Sequence, residues 1–222
     1  MAKPWTLRER SSVPPQIPPG ITDPLAEQTE WTPAAGGGAN FRTHKLVVND
    51  TQRMTFVATV GARLFCMVFL LIGLAVTVGI PFSQMHHGKL SFSFDSIFPV
   101  AVGMGFAAIG ALLLYFGTRP AVFVKRKGFY WKGRKAPDEM FDRRELKHCA
   151  ELANIHALQI VSESCHSKNG SYRSYELNLV LKDGTRMNVV DHGNLGKLRE
   201  DTATLSQFLG IPVWDSTQLT PE

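Results

Sequence analysis

Two uncharged stretches decide the fold: LFCMVFLLIGLAVTVGIPF, Leu64 to Phe82, and IFPVAVGMGFAAIGALLLYFG, Ile97 to Gly117. Each is about 20 residues, roughly 30 Å as a helix, which matches the hydrocarbon core of a bilayer. A soluble helix keeps a polar face, and these two keep none. The pattern predicts a membrane α-helical hairpin of two transmembrane helices, at residues 63–82 and 97–118, joined by a loop at 83–96. The first span starts after 63 residues, too late for a cleaved signal peptide, so it is expected to stay in the mature protein.

Averages hide this. Over 222 residues the chain is 44% hydrophobic, with a net charge of +5 and a mean hydropathy of −0.04, which by themselves describe an ordinary soluble protein. Residues 119–135 carry seven basic side chains and no acidic one, whereas residues 136–222 carry a net charge of −4. Arg42, Lys45, Arg53 and Arg63 precede the first span, and the connecting loop holds only Lys89, offset by Asp95. Positive charge favours the cytoplasmic side, so both termini are expected there, with a two-pass topology and a short external hairpin.

The spans also carry a packing code. Gly103, Gly110 and Gly117 recur at sevens, and Gly103, Ala107 and Ala111 at fours, a spacing that lets another helix approach closely. The first span, through Gly73, Ala75 and Gly79, is the expected partner; a second copy or another protein's helix remains an alternative. Neither Leu64 to Phe82 nor Ile97 to Gly117 holds Asp, Glu, Lys, Arg or His, which counts against an ion pathway.

Residues 1–40 contain seven of the thirteen prolines and end in Gly36-Gly37-Gly38, so a disordered tail with a glycine linker is expected. Residues 41–62 read as a juxtamembrane β segment, with Asn49-Asp50 as a hairpin signal. Residues 119–216 read as an α+β domain, followed by a tail at 217–222. AVFVKRKGFYWKG forms a hairpin about Lys127-Gly128, and Ile155 to Ser164 a strand. SYELNLVL and TRMNVVDH pair about Asp183-Gly184. A three-residue Lys-Asp-Gly loop, with Gly184 left-handed, would pair Leu181 with Thr185, Leu179 with Met187 and Leu177 with Val189, giving one apolar face. The helix NLGKLREDTATLSQFLG starts at an Asn194 cap and ends at Gly210, with Leu198, Leu205, Phe208 and Leu209 on one stripe. Trp214 is expected to pack back onto the domain.

The Phe-Tyr-Trp hairpin after the second span, the SYELNLVLKDGTRMNVV hairpin and the terminal helix ending LGIPVWD together resemble bacterial inner-membrane proteins with a PH-like β domain behind a two-helix anchor. The resemblance spans roughly residues 60–215. It implies a bent antiparallel sheet capped by a C-terminal helix and a membrane-tethered interaction module. It transfers no functional residue.

Candidate chemistry is sparse. Three cysteines on the cytoplasmic side argue against a disulfide framework. His148-Cys149 and Cys165-His166 offer zinc ligands, but neighbouring side chains on a strand point to opposite faces. Met85-His86-His87 could bind copper or zinc, and is more simply a polar flank at headgroup level. Asp142 to Glu145 reads as a solvated turn or a helix start. No phosphate loop, H-E-x-x-H or G-x-S-x-G occurs, so no catalytic residue, metal or cofactor is assigned. Arg119, Lys125, Arg126, Lys127, Lys132, Arg134 and Lys135, with Trp131 among them, form a collar expected to meet anionic headgroups. The expected role is non-enzymatic: a scaffold, assembly factor or accessory subunit whose domain binds another protein, with no nucleic-acid partner. Alternatives are an oligomeric channel or transporter subunit and a metal- or thiol-dependent membrane enzyme.

Overall fold

The computed structural model describes residues 17–18, 20–88, 93–139, 148–167 and 170–219. Lys89 and the Asp142–Glu145 segment lie outside them. Two long helices, α2 (Val60–His86, 27 residues) and α3 (Phe94–Gly117, 24 residues), are both long and apolar enough to cross a membrane. Both begin three residues before the predicted spans.

The helices pack through glycine. A Cβ on Gly73 would lie 2.2 Å from the Ala107 amide nitrogen, and one on Gly110 would lie 2.3 Å from that of Leu70. One on Gly103 would meet Thr77, whose hydroxyl donates to the Gly73 carbonyl at 2.7 Å. Gly73, Gly103 and Gly110 are thus consumed within the hairpin. Gly79 and Gly117, predicted to pack, instead have open space around them, and Ala111 is exposed.

A helix α1 (Pro24–Gln28) precedes a sheet ordered β1-β2-β3-β4-β5, all antiparallel: His44–Asp50, Arg53–Ala58, Ala121–Val124, Phe129–Lys132 and Cys149–Glu151. The segment at 41–62 is therefore not a separate unit. It supplies two strands to the domain, and β2 pairs with β3 across the two-helix insertion, Phe56 opposite Ala121. The first hairpin turns at Thr51-Gln52, two residues beyond the Asn49-Asp50 signal. A second sheet has the order β8-β7-β6-β9: Arg186–His192, Gly170–Leu181, Ile155–Ser167 and Val213–Asp215, with β9 parallel to β6.

Alternation along the strands builds one core between the sheets. Phe56, Phe123 and Tyr130 from the first meet Leu158, Ile160, Leu177 and Leu179 from the second. Helix α4 (Leu195–Leu209) closes this core with Leu198, Leu205 and Phe208. Asn194 caps it by accepting from the Lys197 amide at 2.9 Å, and Gly210 ends it with φ +72°. The β7–β8 turn has Gly184 at φ +81°, the Leu181 amide donating to Thr185, and Leu179 opposite Met187, as its apolar face predicts. Farther on, Leu177 meets Val190 instead of Val189. A bulge inserts Val189, so both valines turn into the core.

The largest departure is at the N-terminus. Residues expected to be a disordered tail lie against the outer face of the second sheet, where Ala26 and Trp31 join Ala157, Val180 and Trp214. Trp214 does pack back, as expected, but onto Trp31, with ring centroids 5.9 Å apart.

Candidate functional site

Two surfaces gather chemistry. The first sits where α3 becomes β3. Arg119 stacks over Phe116, 4.4 Å from the ring centroid, and Arg134 over Tyr115 at 5.0 Å. Arg134 also donates to the carbonyls of Tyr115 (2.7 Å) and Leu114 (3.3 Å) and to the Thr118 hydroxyl (3.0 Å). A helix leaves its last carbonyls without intrahelical partners, so this guanidinium caps α3 from the sheet. Beside it are two adjoining cavities of about 430 and 260 Å³ that share Arg119, Lys132 and His148. The larger adds Arg186 and the apolar walls of Phe116 and Met187; the smaller adds Arg134 and Lys135. Among the described residues neither is lined by an acidic side chain.

Behind the cavities lies a buried polar chain. Lys132 donates to Asn188 Oδ1 at 2.9 Å, and Asn188 Nδ2 donates to Asp191 Oδ1 at 2.9 Å. Burial pushes the lysine ammonium down and the Asp191 carboxyl up. His44, also buried, donates from Nε2 to the Arg119 carbonyl at 3.2 Å. Burial, with Lys132 nearby, holds its imidazole down at about 4.

The predicted collar divides. Arg119, Lys132, Arg134 and Lys135 gather at the α3 junction. Lys125, Arg126 and Lys127 occupy the opposite end of the β3–β4 hairpin, about 13 Å along the strand. There Lys125 stacks on Phe208 of α4 at 4.5 Å, and Lys127 pairs with Asp138 at 2.8 Å. Trp131 packs with Val122 and Val124 on the outside of the first sheet. A run of basic residues in sequence therefore serves two places, because a hairpin returns its ends together and sends its turn away.

The second surface had no sequence signal. Along the outer face of β6–β8, side chains hold the backbone of residues 30–38. Gln159 donates to the Glu30 carbonyl at 3.0 Å, and Arg186 to that of Thr32 at 2.6 Å. Glu176 accepts from the amides of Ala34 (2.8 Å) and Ala35 (2.7 Å), and Glu163 from those of Gly37 and Gly38, both at 3.1 Å. Tyr172 donates to the Gly38 carbonyl at 3.0 Å. Glu176, Gln159 and Asn178 are each 0% exposed, on a sheet face that would otherwise be open to solvent. The triglycine expected to be a linker is thus a bound element. Alternation along β7 foreshadows an outward Ser174, Glu176 and Asn178; what covers them is not written locally.

The cysteine–histidine pairs are separated. Cys149 lies on β5 of the first sheet and Cys165 on β6 of the second, opposite Tyr172. Among the described residues no three His, Cys, Asp or Glu side chains come together as metal ligands. Met85, His86 and His87 end α2, with the two imidazole rings 5.6 Å apart. Compared with known proteins, the chain matches no family model, no curated protein and no solved structure.

Proposed function

We propose that this is a non-enzymatic, two-pass inner-membrane protein, with both termini cytoplasmic, whose PH-like domain binds another protein as a scaffold, assembly factor or accessory subunit. The observation that carries this reading is the continuity between spans and sheet. A single residue, Thr59, separates β2 from α2, and three separate α3 from β3. A domain joined at two adjacent strands is held in a fixed pose at the bilayer, which suits display to a partner better than reach on a tether. The two sheets closed by α4 make an α+β domain behind the two long helices, which supports a displayed binding domain. In this pose the basic cleft of Arg119, Lys132, Arg134 and Lys135 faces the headgroup layer. Contacts with anionic headgroups there are worth about 1 kcal/mol per basic residue.

A pore-forming role has less support, since Gly73, Gly103 and Gly110 already face the partner helix of the same hairpin. Crosslinking in native membranes followed by gentle co-isolation tests the reading. A specific membrane-complex partner is expected. Recovery of the monomer alone, or of discrete higher oligomers that conduct ions in liposomes, would overturn it.

A further inference from the structure

We propose that the outer face of β6–β8 is a peptide-recognition groove, that residues 30–38 are its built-in occupant, and that a partner protein's extended segment of the same chemistry takes their place. The segment would offer an aromatic anchor, then small residues, then a glycine pair. This rests on the protein-binding reading and names its site.

The groove is built for polypeptide backbone. Glu176 and Glu163 each take a pair of consecutive amides, while Gln159, Arg186 and Tyr172 donate to carbonyls. The strap takes Glu176 out of water. In return the Glu176 carboxylate accepts from the Ala34 and Ala35 amides, beside Asn178 Nδ2 at 3.1 Å. A chain that covers this face must therefore bring backbone amides to the same place. Nearly all of these contacts read main chain, which any segment of suitable shape supplies. Shape is set at two points. Trp214 meets the aromatic ring of Trp31, and Ser174 leaves room only for glycine at 38, where a Cβ would fall 2.1 Å from Oγ and 2.5 Å from Cβ.

The occupant is poised to leave. Thr32, Ala34, Gly36 and Gly37 are exposed, so between Trp31 and Gly38 this strap buries little apolar surface and is held mainly by hydrogen bonds. Those of Gly37 to Glu163 and of Arg186 to Thr32 are exposed, and the others are part-buried. Segments of that kind open locally at low cost. Its flanks are better fixed: Ala26 is fully buried upstream, and Arg42 pairs with Asp201 of α4 at 2.8 Å downstream. The strap can lift while both ends stay attached.

The test uses the full-length protein in detergent and a labelled peptide of residues 29–39, TEWTPAAGGGA. Gly38→Ala should eject the strap, exposing Ala34 and Ala35 to elastase, and should bind the peptide at least tenfold more tightly than the wild type. Adding Glu176→Gln should lose that gain. A peptide with alanine in place of its third glycine should bind only the Gly38→Ala, Ser174→Gly double variant. A strap that stays protected in Gly38→Ala, or an emptied groove that binds the peptide no better than wild type, would overturn the proposal. A crosslinked partner seated elsewhere on the domain would overturn it too, while leaving the protein-binding reading intact. Finding no partner would remove that reading, whatever the peptide does.

Discussion

Arg134, just beyond β4, donates to the main-chain carbonyl of Tyr115, in the last turn of α3, at 2.7 Å, and its guanidinium stacks over the same residue's ring. One side chain of the sheet domain thereby closes the end of a long apolar helix. Arg134→Ala should lower the unfolding free energy by about 1 kcal/mol, the usual net worth of such bonds when they are partly open to water. Amide exchange at 115–121 should speed up, and Arg134→Lys, lacking the planar fork, should recover only part of the protection. Unchanged exchange would mean that the spans and domain are not coupled there.

Close helix approach makes a sharper prediction. Gly73→Ala and Gly110→Ala each place a methyl group within 2.3 Å of main-chain nitrogen, so the helices must separate. Overpacking of this sort costs about 1–3 kcal/mol. Thermal unfolding in detergent should show the loss for both. Gly79→Ala and Gly117→Ala, with open space around them, should cost nothing by packing and serve as controls.

Removing Trp214 should free the N-terminal segment. The ring is 2% exposed and packs between Trp31 and His156. Trp214→Ala should cost about 3–5 kcal/mol, as truncation of a buried aromatic does. It should also hasten cleavage by a glutamate-specific protease after Glu27 and Glu30. Stability lost without faster cleavage there would show that the segment is held by other contacts.

Stability should depend on pH through His44. Burial holds its imidazole at about 4 in the folded protein, against 6.5 in the unfolded chain. Between those values the unfolded chain carries a proton that the folded one does not. The contribution is therefore fully present above pH 6.5 and is lost as the pH falls toward 4. It amounts to at most roughly 3 kcal/mol. His44→Gln, which keeps a donor for the Arg119 carbonyl, should flatten that part of the profile measured by denaturant unfolding. An identical slope in wild type and variant would remove His44 as the cause.

The sequence by itself determined what depends on local pattern. Charge-free runs set the two spans, a three-residue turn with Gly184 fixed the β7–β8 register near the loop, and Asn194 and Gly210 bounded α4. Each is a matter of periodicity or of one residue's backbone preference, so neighbours in the chain suffice to read it. Tertiary structure decided the rest. It joined β2 to β3 across the two-helix hairpin and split the basic collar between the two ends of β3–β4. It also laid residues 30–38 along Glu163 and Glu176, more than 120 residues away. A Pro- and Gly-rich segment has no periodicity that marks it as ordered. Its order comes from distant carboxylates that need its amides, and that need becomes visible only once the sheet has formed.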